Sequence, residues 1–227
     1  MPGPATIDVL IPVRDGAPFL AQAIESALAQ TLPPTRVIVV DDGSEDDSAA
    51  IAESFGTPVT ALREPPRGAA AALNAGLAES RAPLVAFLDA DDLWLPQRLE
   101  LQAAVLARDP AVGIVFGHLT EFIDGDVRGV EARTEPTPGV LKSTVLVRRA
   151  TLDAVGHFDA SYSVIDFAEW HARSHTAGVV ELVVPEVVAR RRVHGANVTL
   201  RRRETLNAEY LRLARAAVAR RRAPAQA

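Results

Sequence analysis

The sequence contains no cysteine, which excludes a disulfide framework, a thiolate metal site and a cysteine nucleophile and leaves the redox compartment unread. Lysine is nearly absent too: Lys142 stands alone against 23 arginines, a bias of the kind genome composition produces. No stretch approaches the roughly 18 apolar residues that a membrane-spanning helix needs. The opening segment MPGPATIDVLIPVRDG has no basic stretch ahead of its apolar run. A soluble, cytoplasmic chain without a transmembrane segment is therefore expected. No internal repeat is found.

What is present fits a globular protein. Of 227 residues, 48% are apolar and 23% charged, too apolar for disorder and enough for one large α/β domain or two small ones. The net charge of −5 hides a split: residues 1–125 carry 7 basic against 18 acidic side chains, residues 126–227 carry 17 against 11. An acidic first half argues against binding a phosphate backbone, so no nucleic-acid partner is expected.

Apolar runs Ile7–Ile11, Val37–Val40 and Leu84–Leu88, with Val59–Leu62 as a further strand, have the character of strands buried on both faces. Between them, a helix opens at Pro18 and stops before Pro33, and a second runs from a Ser44 cap to Phe55, with Asp46 and Asp47 in its first turn. Ala69–Ser80 and Pro96–Ala107 are further helices. This alternation predicts a doubly wound, mostly parallel sheet whose ligand crevice lies at the carboxyl ends of its strands. Beyond Asp109, strands are expected at Val112–Phe116, Thr144–Val147, Val179–Val184 and Val187–Arg192, with a helix over Ala168–Thr176. A terminal helix from Glu204 to Arg222 would place Leu206, Tyr210, Leu213, Ala217 and Val218 on one side.

Three polar clusters fall at predicted strand ends: Pro12-Val13-Arg14, Asp41-Asp42-Gly43-Ser44 and Asp89-Ala90-Asp91-Asp92. Three carboxylates within four residues repel one another, and a divalent cation relieves that cost. Oxygen ligands suit Mg²⁺ or Mn²⁺, whose shell substrate phosphates commonly complete. The bland alternative is that Asp91 or Asp92 merely caps a helix opening near Leu93. Asp41 and Asp42 can accept hydrogen bonds from a nucleobase imide or a ribose hydroxyl, or else mark a helix entry.

The ordered segments IPVRDGAPFLAQAIESALAQT, VIVVDDGSEDDS, GAAAALNAGL and APLVAFLDADDLWLPQRLE together resemble the N-terminal half of family 2 glycosyltransferases of the GT-A fold. The resemblance covers residues 6–108 strongly and implies an inverting transferase using a nucleotide-diphosphate sugar, a UDP-sugar in first place. It implies Pro12, Val13, Arg14, Asp41, Asp42, Asn74, Asp89, Ala90 and Asp91 as donor-binding residues, with Asp89 and Asp91 as the metal motif for Mn²⁺ or Mg²⁺. One departure stands out: Leu73 precedes Asn74 where such proteins often carry Arg. In the second half, GHFDASYSVIDFAEWHARSHTAG resembles the acceptor-side segment of the family. A transferred sugar passes through an oxocarbenium-like state and the acceptor hydroxyl loses its proton to a carboxylate. Asp166 and Glu169 are both candidates for that base. His194, in RRRVHGANVT, resembles a C-terminal histidine that closes over the diphosphate and can reach the metal, while Arg190, Arg191 and Arg192 could neutralise phosphate charge. His118, His157, His171 and His175 show no metal spacing supported by a partner.

Rival readings are an inactive nucleotide-sugar-binding module, a nucleotidyltransferase and a receiver-type phosphoacceptor domain built on Asp89 and Lys142. The expected organisation is one GT-A-like domain over residues 1–227: a donor-binding half (1–109), an acceptor-side half (110–200) and a basic helix or tail (201–227). The sugar and the acceptor, whether peptide, saccharide, lipid-linked or small molecule, are not legible, and a homodimer stays open.

Overall fold

The computed structural model describes residues 5–127 and 129–222, with the backbone alone at 199–200 and 218–222. The chain runs β1 (Ile7–Val13), α1 (Ala17–Leu28), β2 (Arg36–Asp42), α2 (Ser48–Ser54), β3 (Val59–Glu64), α3 (Ala69–Glu79), β4 (Leu84–Phe87), β5 (Leu93–Trp94) and α4 (Arg98–Arg108). It continues with β6 (Val112–Ile123), β7 (Thr137–Gly139), a 3₁₀ turn (Lys142–Thr144), β8 (Leu146–Arg148), α5 (Arg149–Val155), α6 (Asp166–Thr176), β9 (Val180–Val193), α7 (Val198–Arg201) and α8 (Arg203–Arg222).

A single sheet joins both halves in the order β3-β2-β1-β4-β8-β6-β9-β5, with β7 beside β6. The first four strands are parallel, as expected of near-continuous apolar runs. Strand β8 enters antiparallel between β4 and β6, and β9 lies parallel to β6. Alternate strand residues feed two cores. Val9 and Ile11 meet α1 and α4 on one face, while Leu10, Ile38 and Phe87 meet α3 and α6 on the other. Gly76, inside α3, allows a close approach of helix to sheet, since a Cβ there would lie 3.1 Å from Val40 and 3.3 Å from Leu10.

Several expectations need correction. The second helix starts at Ser48, not Ser44. The segment 44–48 instead caps α1: Ser44 Oγ, Ser48 Oγ and Asp46 Oδ2 accept from the backbone N–H of Asp15, Gly16 and Ala17 at 2.9 Å each. Asp92 caps no helix, because the chain enters β5 at Leu93 and α4 begins only at Arg98. The two strands expected over 179–192 are one, β9, in which Pro185 and Glu186 bulge out where the register jumps from Gly117↔Val184 to His118↔Val187. The anchored face of α8 is not centred on Tyr210, which is half exposed; Glu209 is buried instead. The side chains of Val218 and of Arg220 to Arg222 lie outside the described residues.

Candidate active site

Parallel pairing of β1, β2 and β4 brings their carboxyl ends to one edge, where a cleft of about 540 Å³ opens. Pro12, Val13, Arg14, Asp42, Asp89, Ala90, Asp91, Asp166 and His194 all line it. Asp41, Asn74 and Glu169 stand outside that lining. Asp41 Oδ1 accepts from Ser44 N–H at 3.0 Å. Both oxygens of Asp42 accept from Gly68 N–H, and Oδ1 also from Arg67 N–H. Asn74 is tied to the backbone of Phe158, donating to its carbonyl at 2.9 Å and accepting from its N–H at 3.0 Å.

The acidic motif is held from the second half of the chain. His194 Nε2 lies 2.9 Å from Asp91 Oδ2, to which Asn197 Nδ2 also donates at 3.0 Å. Asn197 Oδ1 accepts from His194 N–H, and Phe19 packs its ring 4.4 Å from the imidazole, so the histidine is oriented from two sides. Asp89 accepts from Ser143 Oγ at 3.2 Å and faces Lys142 Nζ at 3.3 Å. Asp92 is buried, and burial together with the Asp91 and Asp89 charges holds its carboxyl well above the usual aspartate range.

Of the three consecutive arginines, Arg191 reaches the cleft and pairs with Glu121 at 2.9 Å. Arg190 lies over the Phe122 ring. Arg192 is buried against Asp91 O, Gln22 and Asp124, clamping the strand rather than facing the cleft.

The two carboxylates at the start of α6 have different surroundings. Asp166 lines the cleft, 3.5 Å from Lys142 Nζ. Glu169 is buried and engaged by Arg173 Nε at 2.9 and 3.0 Å. The stretch before Asp166 is fastened by α8: Glu209 accepts from the N–H groups of Ser163, Val164 and Ile165 at 2.7, 3.0 and 3.1 Å. Burial alone would push the Glu209 carboxyl up, but these donors pull it below the usual glutamate range. Sequence reasoning missed Lys142, Asn197 and Glu209 as site residues. The single lysine was the available signal for the first, and nothing local marked the other two.

The donor set suits a hard divalent cation. The side chains of Asp89, Asp91 and His194 all line the cleft, and carboxylate oxygen with one imidazole is a donor set that could hold Mn²⁺ or Mg²⁺.

Comparison with known proteins agrees with this geometry. The glycosyl transferase family 2 model matches residues 8–168. An uncharacterized glycosyltransferase of Rickettsia typhi is 29% identical over 210 residues, covering 85% of this chain and 65% of its own. The succinoglycan biosynthesis protein ExoU of Rhizobium meliloti is 40% identical over 100 residues, covering 42% of this chain and 29% of its own. The chain spans from under a third to about two thirds of the curated relatives it matches. Among solved structures, S. aureus TarS 1-349 in complex with UDP-GlcNAc superposes with a TM-score of 0.70 at 17% identity, covering 85% of this chain and 60% of that one. The mannosyltransferase PcManGT from Pyrobaculum calidifontis, in complex with GDP-Man and Mn²⁺, gives 0.66 at 21% identity, covering 84% and 58%. The expected GT-A-like α/β architecture is thereby borne out, and the chain belongs to glycosyl transferase family 2.

Proposed function

We propose that this chain transfers a sugar, with inversion, from a nucleotide-diphosphate sugar, a UDP-sugar in first place, to a hydroxyl or similar nucleophile. The observation that carries the reading is the meeting of Asp89, Asp91 and Asp166 in one cleft, where Lys142 faces both Asp89 and Asp166. The solved neighbours bound to UDP-GlcNAc or to GDP-Man with Mn²⁺ support the donor class.

Each residue has a part in that reaction. Asp41 lies outside the cleft lining with one oxygen held by Ser44 N–H, and its other oxygen would accept from a uracil N3–H inserted against it. Asp91, Asp89 and His194 would hold Mn²⁺ or Mg²⁺, which when bound neutralises charge on the diphosphate leaving group. Asp166 takes the proton of the acceptor nucleophile. Lys142 keeps Asp89 and Asp166 in place despite their mutual repulsion, and Arg14 and Arg191 add positive charge to the cleft wall. Among the described residues no helix is long and apolar enough to cross a membrane.

The test is a panel of nucleotide sugars assayed for hydrolysis and thermal stabilisation, with Mn²⁺ and with chelator. A UDP-sugar should be hydrolysed and should bind more tightly with the ion. Equal UDP affinity in chelator and in Mn²⁺ would remove the metal from the reading. A panel with no turnover would leave a binding module.

A further inference from the structure

The far end of α6 carries a second cluster of ligating groups, separate from the cleft. His171 and His175 are four residues apart, and so share one face of the helix. Glu181, the second residue of β9, reaches both: its Oε2 lies 2.6 Å from His171 Nε2 and its Oε1 lies 3.3 Å from His175 Nε2. The three ligand atoms all fall within 4.8 Å of one another. Spacing along the chain hid this trio because Glu181 comes from beyond the turn at Gly178 (φ +72°), where Val179 N–H donates back to Ser174 O.

The geometry is built rather than incidental. The His171 ring packs parallel to Phe167 within 7° and edge-on to Phe116 with centroids 5.3 Å apart. Its Nε2 edge is thereby aimed at Glu181, and the His175 ring meets it edge-on at 5.0 Å. His171 and Glu181 are largely covered, whereas the His175 side chain is 63% exposed, so the cluster opens to water on one side. Two imidazoles, one carboxylate and an open position match the ligand set of four-coordinate zinc sites, and imidazole nitrogen favours late first-row ions over Mg²⁺.

We propose that His171, His175 and Glu181 bind one late first-row divalent cation, Zn²⁺ in first place, with water as the remaining ligand. The cation replaces the hydrogen shared between His171 and Glu181. Such an ion ties the last turn of α6 to the first residues of β9. At their other ends, α6 presents Asp166 and β9 leads into Arg191 and His194. The site is therefore a brace: it joins the two elements that carry the second-half wall of the cleft without contributing a group to it.

Zinc could also load Asp91 and His194 in the cleft, so the titration is done on the full chain carrying Asp91→Asn, with and without His175→Ala. His175 is chosen because its exposure makes the fold insensitive to truncation. Isothermal titration with Zn²⁺ should find one equivalent per Asp91→Asn chain. Adding His175→Ala should weaken it by at least about tenfold, since even residues behind the ligands cost that much. At the same Zn²⁺ concentration the Tm of the first protein should rise more than that of the second. Glu181→Gln in the same background should behave like His175→Ala. Equal zinc affinity with and without His175, or no zinc bound by the Asp91→Asn chain, overturns the proposal and leaves a plain histidine–glutamate ion pair.

Discussion

Lys142 Nζ sits 3.5 Å from Asp166 Oδ2 and is thereby placed between the proposed base and the acidic motif, Asp89 Oδ1 lying 3.3 Å away on its other side. The ammonium is held charged: burial opposes ionisation, but the two carboxylates prevail and raise its pKa. Lys142→Gln removes a positive charge that competes with any cation for Asp89. Calorimetry should show Mn²⁺ binding at least about tenfold tighter, while transfer falls because Asp166 loses its anchor. Weaker Mn²⁺ binding in this variant would mean that the lysine supports the ion rather than competing with it.

Asp166 and Glu169 should separate cleanly. Asp166→Asn should lower transfer by about 10²–10⁴-fold, the range for a lost general base, with UDP affinity unchanged. Glu169→Gln loosens the Arg173 clamp and should lower stability by about 1–3 kcal/mol while keeping most activity. Steady-state kinetics beside a denaturant melt decides between them. The reverse pattern would move the base to Glu169.

Asp92 supplies a pH signature. Its folded pKa is raised, so its favourable contribution is complete below the unfolded value of 3.8 and is lost as pH rises toward the folded one. Asp92→Asn keeps an acceptor for Arg192 N–H and removes the charge. In chelator at pH 8 the variant should be more stable than the parent by about 1–3 kcal/mol, with the gap closing toward pH 4. A variant less stable than the parent at pH 8 would show that the carboxylate is compensated there.

Glu209 works in the opposite sense. Its folded pKa is lowered below 4.5, so the stability it adds is present above that value and disappears as pH falls through the folded one. Glu209→Ala strands three backbone donors ahead of Asp166 and should cost about 1–3 kcal/mol. It should lower transfer more than donor hydrolysis. Truncation before α8 should do the same. Equal loss of both activities would assign the helix to the fold as a whole.

Much of the first half of the chain was legible from residue order. The β1, β2 and β4 runs are apolar at nearly every position, which signals burial on both faces, and the polar clusters that follow them share an edge once the strands are parallel. Where local reading failed, a distant partner had claimed the group. Ser44 looked like a cap for its own helix, yet it caps α1 through Asp15 N–H, 29 residues away.

The sequence by itself determined the alternation of strands and helices, the acidic motif at the end of β4 and the carboxylates opening α6, because hydrophobic period and turn chemistry are written in neighbours a few residues apart. Only the tertiary structure decided which carboxylate faces the cleft, that His194 reaches Asp91 across 103 residues, that Glu209 fastens Ser163 across 46, and that Glu181 completes a pair of histidines. Those contacts depend on how elements distant in the chain pack together, a competition among alternative packings that no local pattern records.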